Sequence, residues 1–321
     1  MMSAARPRVA VVGAGVMGGY HVRVVAQSER CELARVVEPD ASIGQPLADR
    51  YGAQWRPQAD DFADLDAVVI ATPTEHHADL VLRALESGVP VLVEKPVTPD
   101  LATAEALVTA AEERQVPIMC GFVERFNPAI LTVQPMLNEP VHVTALRHSP
   151  YASRVRTGVA WDLLIHDVDA SLRLLGHEPV RVSAGLGHFH PSSGEDSEDV
   201  AEAVMSFGSG AVASVSASRI GQRKLRSMSI AELNRTIELD LLRRDVTIFR
   251  HVSADIETQN GIGYRQQTII DIPQLVSVRE PLAAQLDHFL DLVSGVVDMK
   301  EERESILPAH RVIHRVVGPA C

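Results

Sequence analysis

The sequence predicts an α/β protein in two parts. A parallel sheet covered on both faces by helices comes first, and an α+β region with an open, mainly antiparallel sheet follows. Three observations predict this. Near-continuous apolar runs alternate with helical stretches as far as Gly121, the mark of strands buried on both faces. After Gly176 the pattern changes to successive strand-like segments. A glycine-rich turn directly follows the first apolar run. The expected division is into domains 1–122 and 123–321.

Composition narrows the class. The chain has 321 residues, 46% hydrophobic and 22% charged, with a formal net charge of −12. That suits a soluble globular protein and argues against nucleic acid or an anionic membrane surface as the main partner. Cys31, Cys120 and Cys321 are odd in number and far apart, so they give neither a disulfide framework nor a metal-binding pair, and a reducing cytoplasm is expected. No apolar run approaches the ~18 residues of a membrane span, and the N-terminus lacks the layout of a signal peptide.

Val9–Val12 reads as a buried strand ending at Gly13-Ala14-Gly15-Val16-Met17-Gly18. In this GxGxxG spacing Gly13 permits a tight turn, Gly15 lets backbone approach a pyrophosphate, and Gly18 lets the following helix pack against the strand. That helix, about residues 18–28, would aim its N-terminal N–H groups at the phosphates. A second strand, 33–37, ends in Glu38, where a carboxylate accepts hydrogen bonds from a ribose 2′-hydroxyl and repels a 2′-phosphate. Together these residues form a Rossmann dinucleotide-binding fingerprint, with NAD expected over NADP.

The alternation continues with a short helix at 46–51, a strand at 67–71, a turn opening the helix 77–87, a strand at 89–93, a helix at 101–114 and a strand at 117–121. Ligands of such sheets lie beyond the carboxyl ends of the strands, so the tails after Ile70, Val93 and Gly121 are expected to line the cofactor cleft. Lys95, at a strand end and followed by Pro96, is either rigidly placed to hydrogen-bond an oxygen that gains negative charge or an exposed loop lysine.

Farther on, Trp161–Asp169 reads as a helix with Asp162 and His166 four residues apart on one face. An acid–base pair and a buried polar pair satisfying each other are both compatible with those residues. Arg147, Arg154 and Arg156 precede the helix; guanidinium groups suit phosphate or carboxylate recognition, or else form a solvated basic loop.

Taken in order, Gly13–Gly18, Thr72-Pro73 with His77, Glu94-Lys95-Pro96 and Asp162-xxx-His166-Asp167 resemble the Gfo/Idh/MocA oxidoreductases (glucose–fructose oxidoreductase/inositol 2-dehydrogenase-like). The resemblance implies catalytic roles for Lys95, Asp162 and His166. It implies cofactor contacts from Gly13, Gly15, Val16, Met17, Gly18, Glu38, Thr72, Pro73, His77, Glu94 and Lys95. Gly121–Pro128 and Arg154–Val159 resemble the branch acting on nucleotide-linked sugars, which adds Arg125, Asn127, Arg154 and Arg156 to Lys95, Asp162 and His166 as substrate-binding residues. The reaction implied is NAD-dependent oxidation or reduction at a secondary alcohol or ketone of a sugar, with a free polyol as the alternative substrate. Relatives also include redox-neutral enzymes that use NAD transiently, and an NAD-binding sensor is a further alternative. Two departures stand out: Thr74 replaces a common asparagine, and Leu163 and Leu164 stand where many members carry a small residue.

After the helix 161–175, strands are expected at 180–184, 201–207, 211–218, 225–233 and 236–241, with an exposed polar loop at 188–199. The small residues of 211–218 suggest a flat sheet that packs against a copy of itself, as a homodimer or homotetramer. Residues 281–294 form an amphipathic helix, 296–304 an acidic connector and 307–317 a last helix. His310 and His314 lie four apart without a third ligand nearby, so no metal is expected.

Overall fold

The computed structural model describes residues 6–152, 157–194, 197–258 and 261–318. The chain forms two compact units, one of residues 1–126 and 279–314, the other of residues 127–278 and 315–321.

The first unit opens on β1 (Arg8–Val12), α1 (Val16–Gln27), β2 (Glu32–Val37), α2 (Ala41–Tyr51) and β3 (Gln54–Arg56). It continues through β4 (Ala67–Ile70), α3 (His77–Glu86), β5 (Val91–Val93), α4 (Leu101–Arg114) and β6 (Ile118–Cys120). All six strands are parallel, in the order β3-β2-β1-β4-β5-β6. Val9, Val11, Val68, Val69 and Val91 are fully buried, which explains why these strands read as unbroken apolar runs. The second helix begins five residues earlier than its proline suggests. Asp40 caps it by accepting from Ser42 N at 2.8 Å, and Gly52 closes it in the left-handed conformation.

The second unit contains α5 (Pro128–Val133), β7 (His142–His148), α6 (Ile165–Leu175), β8 (Arg181–Gly187), β9 (Val200–Ser206) and β10 (Val212–Ser218). After these come β11 (Leu225–Glu232), β12 (Arg235–Asp240), β13 (Asp245–Thr258) and β14 (Gly261–Asp271). They build an eight-stranded sheet, β14-β13-β12-β11-β7-β10-β9-β8, antiparallel except where β10 runs parallel to β7. Val143, Ala145, Ala213, Val215 and Ala217 are buried on the face that α6 covers, and their small size lets the helix approach closely. The opposite face carries Thr144, Ser227, Ser229 and Glu238. The long hairpin of β13 and β14 has no counterpart in the expected strands. Its outer half is exposed on both strands at residues 250–253 and 266–270, so backbone pairing rather than an apolar face holds it there.

Past this hairpin the chain forms α7 (Pro281–Val293), α8 (Met299–Glu304) and α9 (Leu307–Val317), which belong mainly to the first unit. Leu282, Leu286 and Phe289 share a core cluster with Val9, Val22, Leu33 and Met119. The expected division at 122/123 therefore misses a return of the chain: α7 buries its apolar stripe in the core of the unit formed by the first third. The expected acidic connector holds a helix, because Asp298 accepts from Lys300 N and Glu301 N at 2.8 Å and caps it.

Candidate functional site

At the end of β1 the chain turns through Gly13 at φ +96°, where a side chain is strained. A Cβ on Gly13 would lie 2.6 Å from Ala71 O, and one on Gly18 only 1.9 Å from Gly13 O. Gly15 caps α1 with no side chain, nothing lies within 4 Å of where its Cβ would point, and the first turn holds no acidic residue. A helix N-terminus open in this way attracts an anion. Val16 and Met17 are 50% and 37% exposed beside it. The carboxylate of Glu38 reaches the same turn, accepting from Ala14 N at 2.8 Å and from Asp40 N at 3.2 Å. Trp55 Nε1 donates to Glu38 O, and the missing side chain of Gly44 makes room for both residues.

Beyond β4, Thr72 places a buried hydroxyl oxygen with no hydrogen-bond partner among the described residues. A buried polar atom of this kind calls for a ligand or water. Pro73 leads through a 3-10 turn, Thr74–His76, into α3. The ring of His77 lies 3.0 Å from Pro96 O through Nδ1 and 3.0 Å from Thr72 O through Nε2. Burial pushes its pKa down, against the pull of those carbonyls. After β5, Glu94 accepts from His21 Nε2 at 2.7 Å, inside the unit. Half-buried Lys95 follows, joined to Pro96 by a cis peptide bond. An open helix start, a glycine cradle, a carboxylate against the glycine turn and an orphaned hydroxyl at a strand end fit a dinucleotide.

In the second unit a single π-helical turn, Ala160–Leu164, runs directly into α6. Such turns cluster at functional sites. Trp161, Leu164, Ile165 and Val168 are buried, while Asp162, Leu163 and His166 are half-buried. The expected polar pair therefore lies on the partly open stripe of an otherwise apolar helix. Its neighbour Asp167 turns inward and takes two hydrogen bonds of 2.8 Å from Arg147 Nε and Nη2. Arg147 is 2% exposed, which corrects its reading as a phosphate ligand: β7 alternates strictly and Arg147 falls on the buried parity with Val143 and Ala145. The pair clamps the helix to the sheet.

Sequence reading also missed the groups that start this helix. Glu198 Oε1 accepts from Ala160 N at 2.7 Å, and Glu198 O accepts from Val159 N at 3.1 Å. Gly158 makes this possible, since a Cβ there would lie 2.0 Å from Glu198 Oε2. Asp199 accepts from Phe189 N, His190 N, Ser193 Oγ and Arg219 Nε at 2.5–2.7 Å. Arg219 donates onward to Thr157 O and Ser197 O. Burial raises the pKa of Asp199, but these donors outweigh it and hold the carboxyl well below its ordinary value. The expected exposed loop 188–199 thus ends in a buried anchor, because two consecutive carboxylates find backbone and guanidinium donors.

Arg125 is 6% exposed; it donates to Ser305 Oγ and Ser305 O at 2.7 and 2.8 Å, and its guanidinium lies 4.6 Å from the centre of the Phe122 ring. Asn127 caps α5 through Ala129 N and donates to Leu241 O at 3.0 Å. Arg154 and Arg156 lie outside the described residues.

Fold and first site define an NAD-binding oxidoreductase with a Rossmann domain. The chain belongs to the Gfo/Idh/MocA family: residues 7–122 match the oxidoreductase family with NAD-binding Rossmann fold, and residues 137–232 match the Gfo/Idh/MocA C-terminal domain. It is 31% identical to a UDP-N-acetylglucosamine 3-dehydrogenase of Acidithiobacillus ferrooxidans, over 90% of this chain and 89% of that one. It is 32% identical to an inositol 2-dehydrogenase of Rhizobium meliloti, over 55% of this chain and 57% of that enzyme. The solved structure of the Acidithiobacillus enzyme superposes with a TM-score of 0.81 at 29% identity, covering 98% of each chain. The protein is thus a dehydrogenase. No helix among the described residues is long and apolar enough to cross a membrane.

Proposed function

We propose that this dehydrogenase oxidises a secondary alcohol on a nucleotide-activated sugar, in the manner of a 3-dehydrogenase, with NAD rather than NADP. The observation that carries the substrate class is the match to the UDP-N-acetylglucosamine 3-dehydrogenase, which runs through both units. The sequence match to the Rhizobium meliloti inositol 2-dehydrogenase covers 55% of this chain and 57% of that enzyme. Glu38 carries the cofactor preference, since its carboxylate sits against the glycine turn at Ala14 N and would repel a 2′-phosphate.

Gly13, Gly15, Val16, Met17, Gly18, Glu38, Thr72, Pro73, His77 and Glu94 would hold the dinucleotide, and bound NAD supplies the hydride acceptor. His166 takes the proton of the substrate hydroxyl as general base. Asp162, one turn earlier, orients the imidazole and stabilises its charged form. Lys95 donates a hydrogen bond to the oxygen as it becomes an alkoxide. Arg154 and Arg156 meet the diphosphate, and Arg125 and Asn127 serve substrate binding through the backbone they hold. The test is the reduced-nicotinamide signal in a single turnover with UDP-N-acetylglucosamine. His166→Ala and Lys95→Ala should each slow it by about 10²–10⁴-fold. Near wild-type turnover in both would overturn the assignment, and activity on inositol alone would overturn the substrate class.

We further propose that the chain self-associates through the open face of the second sheet, where a cavity of about 440 Å³ is lined by Thr144, Leu146, Ser227 and Glu238 among others. It would act in the cytoplasm, where the buried thiols of Cys31 and Cys120 stay reduced. Light scattering at graded concentration tests the first point; a monomer at all concentrations sinks it.

A further inference from the structure

His310 is one of the most deeply buried polar residues of the chain, at 0% exposure, and the chemistry proposed above does not use it. Its Nδ1 donates to Ile306 O, one turn back on the same segment, at 2.9 Å. That bond fixes the tautomer, leaving Nε2 as an acceptor. The group it accepts from, at 3.0 Å, is the backbone N–H of Val97. The Phe122 ring stands edge-on to the imidazole with centroids 5.9 Å apart and helps fix its plane.

Val97 is two residues beyond Lys95, and its position matters because Pro96 has no N–H to offer. Three buried imidazoles, all within the first unit, hold the tetrapeptide Glu94–Val97. His21 holds the Glu94 carboxylate, His77 faces the Pro96 carbonyl, and His310 takes the Val97 amide. Each comes from a different helix: α1, α3 and α9. Lys95 sits between anchors on both sides, so its backbone has little freedom to move the amine.

We infer that His310 is a positioning residue for Lys95, acting through the Val97 amide. The inference rests on the proposed role of Lys95 in the reaction. Filling space does not account for the residue, since an aliphatic side chain would pack there without accepting the amide. Both ring nitrogens are used, in the one tautomer that ties α9 to the segment carrying the lysine.

Two near-isosteres separate positioning from packing. In His310→Gln the terminal oxygen reaches the place of Nε2 and can still accept from Val97. In His310→Asn the amide reaches only the place of Nδ1. Thermal unfolding of both reports any common loss of stability. With UDP-N-acetylglucosamine, H310N should lower kcat by about 10²-fold, as a displaced catalytic group does, with little change in KM. H310Q should recover most of it. Exchange of the Val97 amide, followed by NMR, should accelerate in H310N and stay slow in H310Q. So should the rate at which an activated ester acylates the Lys95 amine change in H310N alone, read by mass spectrometry. Equal loss of kcat in both variants overturns the inference, as does faster Val97 exchange with Lys95 reactivity unchanged. If the wild type turns over no sugar, the functional reading fails, and the exchange and acylation rates still decide whether His310 positions Lys95.

Discussion

Thr72 makes the sharpest case at the scale of one residue. Its hydroxyl oxygen is buried with no partner among the described residues, so a bound group or a water is what satisfies it. Thr72→Val should leave the melting temperature of the cofactor-free protein unchanged or raise it, since removing an unsatisfied buried polar group costs little. The same variant should weaken NAD binding about tenfold, roughly the worth of one hydrogen bond, as read by titration calorimetry. A fall in cofactor-free stability with unaltered NAD binding would show the hydroxyl to be structural. Glu38 offers the complementary case. Glu38→Ser removes the carboxylate that meets the glycine turn, and the ratio of NAD to NADP affinity should fall by at least about tenfold. The place of Glu38 was legible from spacing, because a glycine turn and the acid after the next strand are local in sequence, whereas Thr72 was singled out only by the family resemblance. Arg147 was not legible: its residue type suggests a phosphate ligand, and only the strand parity, available in the alternation of Val143 and Ala145, turns it inward to Asp167.

At the scale of elements, the helix bearing Asp162 and His166 is set by groups far from it in sequence. Glu198 satisfies its first N–H groups and Arg147 fastens Asp167 to the sheet. Glu198→Ala should cost about 1–2 kcal/mol as a lost cap. The neighbouring Asp199 makes the anchor sensitive to acid. Its pKa is lowered in the folded protein, so the unfolded state binds the proton more readily, and stability rises with pH through that region. The contribution is complete above the ordinary value of 3.8 and fades as pH falls through the lower folded value. Asp199→Asn should therefore cost about 3 kcal/mol near neutrality, where it leaves Arg219 buried beside a neutral group. The gap in melting temperature from wild type should narrow steadily below about pH 4. A gap independent of pH would show that shape, not charge, is what Asp199 supplies. The short α8 was within reach of sequence reading, since Asp298 and Glu301 have the spacing of a capping box. The π-helical turn was not, because nothing in the side chains from Ala160 to Leu164 announces an extra residue per turn.

For the whole molecule, the Rossmann unit is discontinuous. Phe289 lies far along the chain from Val9 yet shares its core cluster. Phe289→Ala should cost about 3–5 kcal/mol, seen as a lower unfolding midpoint and weaker NAD binding. A fragment of residues 1–126 should lack cooperative unfolding, whereas the same fragment joined by a flexible linker to residues 279–314 should regain it. Cooperative melting of the shorter fragment would show that α7 is dispensable.

Local rules were enough for five strands of the first sheet, all but the short β3, for the glycine turn and the acid at its second strand, and for the strands from β8 to β12. In each, the residues that signal an element are the residues that form it. The buried clamp on α6, the anchor at Glu198, the return of α7 and the three imidazoles around Lys95 join residues 20, 38, 73 and 213 positions apart, among others. Such pairings are selected by which side chains share a buried volume once the sheets have formed. A buried carboxylate, guanidinium or imidazole is stable there only beside its partner, and that partner has no fixed place in the sequence.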